Sequence, residues 1–137
     1  MAALWPVMDR QPRLALATLK DYEIPTDPGV YALYHDGDRM YVGKAGCLRD
    51  RVWKNHCGRG AVMTGSALRR NVAEHLGIAT AADIRARRYQ PTSSELGRVR
   101  EWLETCEIAW RTCDSHADAI DLEIGMKREH MPQLTKR

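Results

Sequence analysis

The chain lacks several features that would each have assigned it to a class. No apolar run approaches the roughly 20 residues that a membrane-crossing helix needs, which excludes a helical span. The four cysteines, Cys47, Cys57, Cys106 and Cys113, form no Cys-x-x-Cys pair and no paired metal-ligand spacing. No secretory signal precedes them, so they read as reduced thiols of a soluble, cytoplasmic protein. Cys47, His56 and Cys57 could be drawn together as a zinc site, but small, partly buried apolar side chains are the plainer reading of those thiols. There are no internal repeats, low-complexity tracts or linkers. A zinc finger and a long recognition helix are absent as well.

An excess of one charge is also missing. The formal net charge is only +3 over 137 residues, so the total points to no partner. Its distribution is more informative: Lys44, Arg49, Arg51, Lys54, Arg59, Arg69 and Arg70 face the single acid Asp50 between positions 44 and 70. Acids prevail after Glu95. An anionic partner is therefore expected at the middle of the chain. The length fits one compact domain, read as an N-terminal helical extension over 1–27 packed on a domain over 28–137.

What is present is a hairpin running into a glycine loop. Pro28-Gly29-Val30-Tyr31-Ala32-Leu33-Tyr34 and Met40-Tyr41-Val42-Gly43-Lys44-Ala45-Gly46 are rich in aromatic and β-branched residues and flank Asp36-Gly37-Asp38. A three-residue loop would set His35 opposite Arg39 and place Tyr31, Leu33, Tyr41 and Gly43 on one face. A two-residue Asp-Gly turn would shift the register by one and separate the tyrosines. The three-residue loop is the expectation.

Elsewhere, apolar spacing predicts a short helix over 12–21, with Trp5 and Met8 at the domain edge, and a short amphipathic helix over Leu48 to Asn55. Ser66 is a good cap for Ala67 to Leu76, with Gly77 as its stop. Thr80 caps a helix over Ala81 to Arg88 whose basic triplet, Arg85, Arg87 and Arg88, reads first as a solvated face. Helices over Ser93 to Glu104 and His116 to Glu129 bracket a third strand, Glu107 to Thr112. The last helix is capped by Asp114 or Ser115 and ended by Met131-Pro132. The class is α+β: a small three-stranded antiparallel sheet flanked by helices.

In the last helix Ala119, Ile120, Leu122, Ile124 and Met126 form an apolar arc, and Glu123 falls inside it. A carboxylate so placed must pair with a cation, bind a metal or line a cleft, because burying it alone costs several kcal/mol. Lys127, four residues on, is the ordinary partner.

Gly29-Val30-Tyr31, Tyr41-Val42-Gly43, then Lys44, Arg51 and a late helical Glu123 ahead of Pro132 together resemble the GIY-YIG nuclease superfamily. The resemblance implies a divalent-metal-dependent endonuclease acting on duplex or branched DNA, with Mg²⁺ or Mn²⁺ as cofactor; with no second DNA-binding domain in the sequence, specificity is expected from the insert between Arg51 and the third strand, from a dimer or from a partner. It further implies that Glu123 holds the metal, Arg51 clamps the scissile phosphate, Tyr31 is the general base and Tyr41 holds water or phosphate, beside Lys44. Gly43 and Gly46 would let backbone approach the phosphate. Arg49, Lys54, His56, Arg69 and Arg70 are the expected DNA contacts. Two positions depart from the pattern: Thr135 stands where the family's Pro-x-x-Asn ends, and His56 is five residues past Arg51 instead of four. The Thr135 departure loses an amide that braces the site. A binding module of the same fold with little catalysis is the alternative reading.

Overall fold

The computed structural model describes residues 3–57 and 66–135, without the side chains of 54–57. Four strands form one antiparallel sheet in the order β1-β4-β2-β3: β1 Leu14–Ala15, β2 Gly29–His35, β3 Asp38–Ala45 and β4 Glu107–Thr112. The expected three strands are all present, and the fourth is the two-residue β1, where Leu14 and Ala15 pair with Ile108 and Glu107. That pairing replaces the helix expected over 12–21. Leu16–Thr18 and Asp21–Glu23 are single 3-10 turns separated by extended backbone at Leu19 and Lys20.

Because β2 is central, six of its seven residues are buried, and its alternation feeds two cores. Tyr31 and Leu33 point to one face, where they meet Tyr41, Ile108 and the helices α2 (Ala67–His75), α3 (Ala81–Arg85) and α4 (Ser93–Glu104). Val30, Ala32 and Tyr34 point to the other, against α1 (Leu4–Asp9) and α5 (His116–Glu129). Trp5 and Met8 lie inside this second core, at 1% and 0% exposure, and not at the domain edge. The Trp5 indole N–H reaches the Met126 and His130 carbonyls, which ties α1 to the end of α5. Asp9 completes the link to the hairpin by accepting from Tyr34 Oη at 2.7 Å and pairing with Arg39. Burial pushes the Asp9 carboxyl up, but those two hydrogen bonds outweigh it and leave it below its ordinary value.

The hairpin differs from expectation at its tip and agrees in its body. Asp36 and Gly37 have φ of 50° and 82°, the left-handed pair of a two-residue turn, and His35 faces Asp38. A bulge between Leu33 and Tyr34 then takes up the extra residue, Met40, on β3. Beyond it Leu33 faces Tyr41 and Tyr31 faces Gly43, so the tyrosines share a face after all.

The caps are those read from the sequence at Ser66, Thr80 and, of the two candidates, Ser115; each hydroxyl accepts the amide three residues on. Helix α3 is shorter than expected: it stops at Arg85, and Arg87 takes a left-handed φ of 61°. The helix expected over Leu48 to Asn55 is wound as a π-helix over Asp50–Cys57. In α5 the buried seam is Ala119, Glu123 and Met126, while Ile124 is 40% exposed. Among the described residues no helix is long and apolar enough to cross a membrane.

Candidate active site

Strand β3 is an edge of the sheet, and it is there that elements from both faces meet. Tyr31 and Tyr41 reach it from the sheet, Arg51 from the π-helix, Arg70 and Asn71 from α2, Ala81 and Arg85 from α3, and Glu123 and Lys127 from α5. Together with Gly43 and Lys44 they line a cleft of about 680 Å³. A second hollow, of about 430 Å³, lies against Gly46, Cys47, Asp50 and His116, and it shares Lys44 and Arg51 with the first.

Gly43 is required by its partner across the hairpin. A methyl on its Cα would stand 2.5 Å from Cζ of Tyr31 and closer still to the hydroxyl. The absent side chain is therefore what admits the Tyr31 ring, itself fully buried. The Tyr31 and Tyr41 rings lie 6.1 Å apart at 33°. Arg51 and Tyr41 both hydrogen-bond the Tyr31 hydroxyl. Burial dominates its acidity: it pushes Tyr31 well above the ordinary tyrosine value, the Tyr41 oxygen adds to this, and the Arg51 cation opposes it. Tyr41 is also raised, again by burial first, with Arg51 opposing and Glu123 reinforcing. Lowering of the Tyr31 value by neighbouring cations, which a base at neutral pH needs, is thus outweighed by desolvation.

Glu123 has a side chain only 7% exposed and is met by two ammonium groups, Lys127 Nζ at 3.2 Å and Lys44 Nζ at 3.7 Å. Both approach Oε1. The Arg51 Nε is buried and has no hydrogen-bond partner among the described residues. An unpaired buried donor costs about 1–3 kcal/mol.

The edge of β3 is finished by the chain end. Leu134 N donates to the Met40 carbonyl at 2.8 Å, and the Val42 amide donates to Thr135 Oγ1 at 2.9 Å. Asn71 Nδ2 donates to the Leu134 carbonyl at 2.8 Å, fixing that segment to α2. Thr135, at the position of the family's asparagine, is thus tied to β3 by its hydroxyl, and the segment before it to α2 by a side-chain amide. Replacing Thr135 by valine keeps the shape and orphans the buried Val42 N–H, so it should cost about 1–3 kcal/mol in urea unfolding. Serine at 135 should recover most of that loss.

Several expected residues lie elsewhere. Arg49 donates its Nε to the Ile24 carbonyl at 2.9 Å and lines neither hollow. Arg69 points into the body of the protein, at 4% exposure, while Arg70 beside it faces the cleft. Gly46 belongs to the second hollow, with the His116 ring 3.7 Å from where a Cβ would be. The side chains of Lys54, His56 and Cys57 lie outside the described residues. No group of three metal-ligating side chains occurs among the described residues. Arg85, Asn71 and Lys127 are the additions; only the basic triplet and the i,i+4 pairing pointed toward two of them.

No family model matches the chain, and no curated protein does. Solved structures do. The crystal structure of the GIY-YIG N-terminal endonuclease domain of UvrC from Thermotoga maritima, bound to its catalytic divalent cation magnesium, is 18% identical. It covers 85% of this chain and 92% of its own, with a TM-score of 0.46. An asparagine-to-alanine point mutant of the same domain, also with its divalent cation, is 19% identical over 86% and 92%, with a TM-score of 0.44. The similarity is to GIY-YIG endonuclease domains.

Proposed function

We propose that this chain is a divalent-metal-dependent endonuclease that hydrolyses DNA phosphodiesters in the cleft along β3. One observation carries the reading: Tyr31, Tyr41, Lys44, Arg51 and Glu123, scattered over more than ninety residues, line a single cleft. These are the positions that the motif resemblance selects. Phosphodiester hydrolysis needs charge neutralisation at the phosphate, an oriented water and a route for its proton.

Arg51 offers a planar guanidinium that stays charged at any working pH, suited to two phosphate oxygens at once. Lys44 adds a second positive charge beside it. Tyr41, hydrogen-bonded to Tyr31, orients the attacking water, and Tyr31 takes its proton. Glu123 is the group fitted to a cation: a single carboxylate on the cleft wall is enough for Mg²⁺, which otherwise keeps water and phosphate ligands. Bound there, Mg²⁺ or Mn²⁺ would act as a Lewis acid on the phosphate.

A tyrosine held above its ordinary value is a poor base at neutral pH. The cutting rate should therefore keep rising through about pH 9 without levelling, because the fraction of tyrosinate is still growing there. Single-turnover cleavage of linear, nicked and branched DNA across a pH series with Mg²⁺ or Mn²⁺ measures it. A plateau near neutrality would remove Tyr31 from the role of base. The two lysines on Glu123 favour the second reading, a nucleic-acid-binding module with little catalysis. Tight, steeply salt-dependent binding without cutting under any divalent metal would decide for that one.

A further inference from the structure

The cleft is far more cationic than catalysis at one phosphate requires. Lys44, Arg51, Arg70, Arg85 and Lys127 line it against only Glu74 and Glu123. That is an excess of three positive charges, equal to the formal net charge of the whole chain. Like charges gathered in one concave site draw an anionic partner to it.

Two of these cations stand apart from the catalytic set. Arg70 on α2 and Arg85 at the end of α3 face the same space, across a wall of small residues, Ala67, Ala81, Ala82 and Ala86. Arg85 is exposed and makes no ion pair among the described residues, whereas Arg88, three residues on, is neutralised by Asp83 at 2.9 Å. Glu74 lines the same cleft and accepts from the Ala81 amide at 2.9 Å, among other contacts. Two guanidinium groups converging beside a third repel each other, and burial, Arg85 and Arg51 together hold Arg70 below its usual value. A polyanion would relieve that repulsion. The alanines leave room for a nucleic-acid backbone to come close.

We propose that Arg70 and Arg85 form a second phosphate subsite, seating a phosphate of the same DNA strand beside the one held at Arg51. This rests on the endonuclease reading and extends it: α2 and α3, two of the elements between the π-helix and β4, guide the strand into the cleft. Arg85 is then a binding residue of the substrate strand, acting on affinity and not on the bond-breaking step.

The test is binding of a short fluorescent DNA duplex to the full chain, followed by anisotropy over a salt series in EDTA, with cleavage kinetics measured separately in Mg²⁺. Arg85→Ala should weaken binding about 5- to 10-fold and lower the slope of log affinity against log salt by ~1, the signature of one lost phosphate contact. At saturating DNA its kcat should stay within about two-fold of the unmodified chain while KM rises. Arg85→Lys should restore most of the slope, and Arg88→Ala should leave both quantities unchanged. An Arg85→Ala chain that is folded by circular dichroism and matches Arg88→Ala in affinity and slope, while the unmodified chain binds and cuts, overturns the subsite alone. An unmodified chain that neither binds nor cuts overturns the endonuclease reading and the subsite with it.

Discussion

Replacing Glu123 by glutamine should lower the cutting rate by about a thousandfold or more, equivalent to about 4 kcal/mol in the barrier. Glutamine keeps the shape, so the loss isolates the charge. Two consequences of removing that charge can be separated. The first is structural: Lys44 and Lys127 lose their common counter-ion, but Lys44 is 41% exposed and Lys127 23%, so the cost in stability should be about 1 kcal/mol or less. The second is functional: Mg²⁺ should raise the melting temperature of the unmodified chain and leave the variant unmoved. Were Glu123 no more than the ion-pair partner of two lysines, the order would reverse. Stability would fall, Mg²⁺ would not shift the unmodified melting curve, and the rate of cutting would be indifferent to the change.

Arg51→Ala should be the companion loss, about 100- to 1,000-fold in kcat, as for removal of a charged donor from a developing oxyanion. Its stability should behave unusually for a half-buried side chain. The Nε is a buried donor without a partner among the described residues, so the native guanidinium already carries a penalty, and deleting it removes that penalty along with the contact to Tyr31. Urea unfolding should show a midpoint unchanged or slightly higher. Lysine at 51 should recover little, since a single ammonium does not reproduce the planar fork. A large destabilisation together with intact cutting would make Arg51 a structural residue.

Much of this site was legible because it is written in local chemistry. Helix α5 announces itself by a serine cap and an apolar arc, and within that arc a carboxylate is out of place whatever it does. The hairpin is equally local, with its aromatic arms and its Asp-Gly pair. What the sequence did not disclose depends on neighbours far along the chain. Leu14 and Ala15 become a strand only because Ile108 and Glu107 offer an edge, and a helical spacing of leucines could not show that. Trp5 is a core residue because the Met126 and His130 carbonyls stand where its indole N–H arrives. Arg69 and Arg70 are adjacent and equally basic, and only the packing of α2 decides which one turns inward. From the sequence Arg85 is one of a solvated triplet, since nothing local distinguishes it from Arg88. The distinction lies in Asp83, which takes one and leaves the other.

The bulge at Met40 has a consequence for how this hairpin can change. A turn normally dictates the pairing of everything below it, so a residue gained or lost at the tip would carry the tyrosines to the wrong side. Here the offset of the Asp36-Gly37 turn is absorbed within two residues, and the segment holding Tyr31, Tyr41 and Gly43 is insulated from it. The tip is thereby an exchangeable part. Loops of other lengths, or a grafted recognition peptide, can be mounted there if the compensating residue at position 40 is adjusted with them. The hairpin thus has one end open to variation and the other bound to the chemistry.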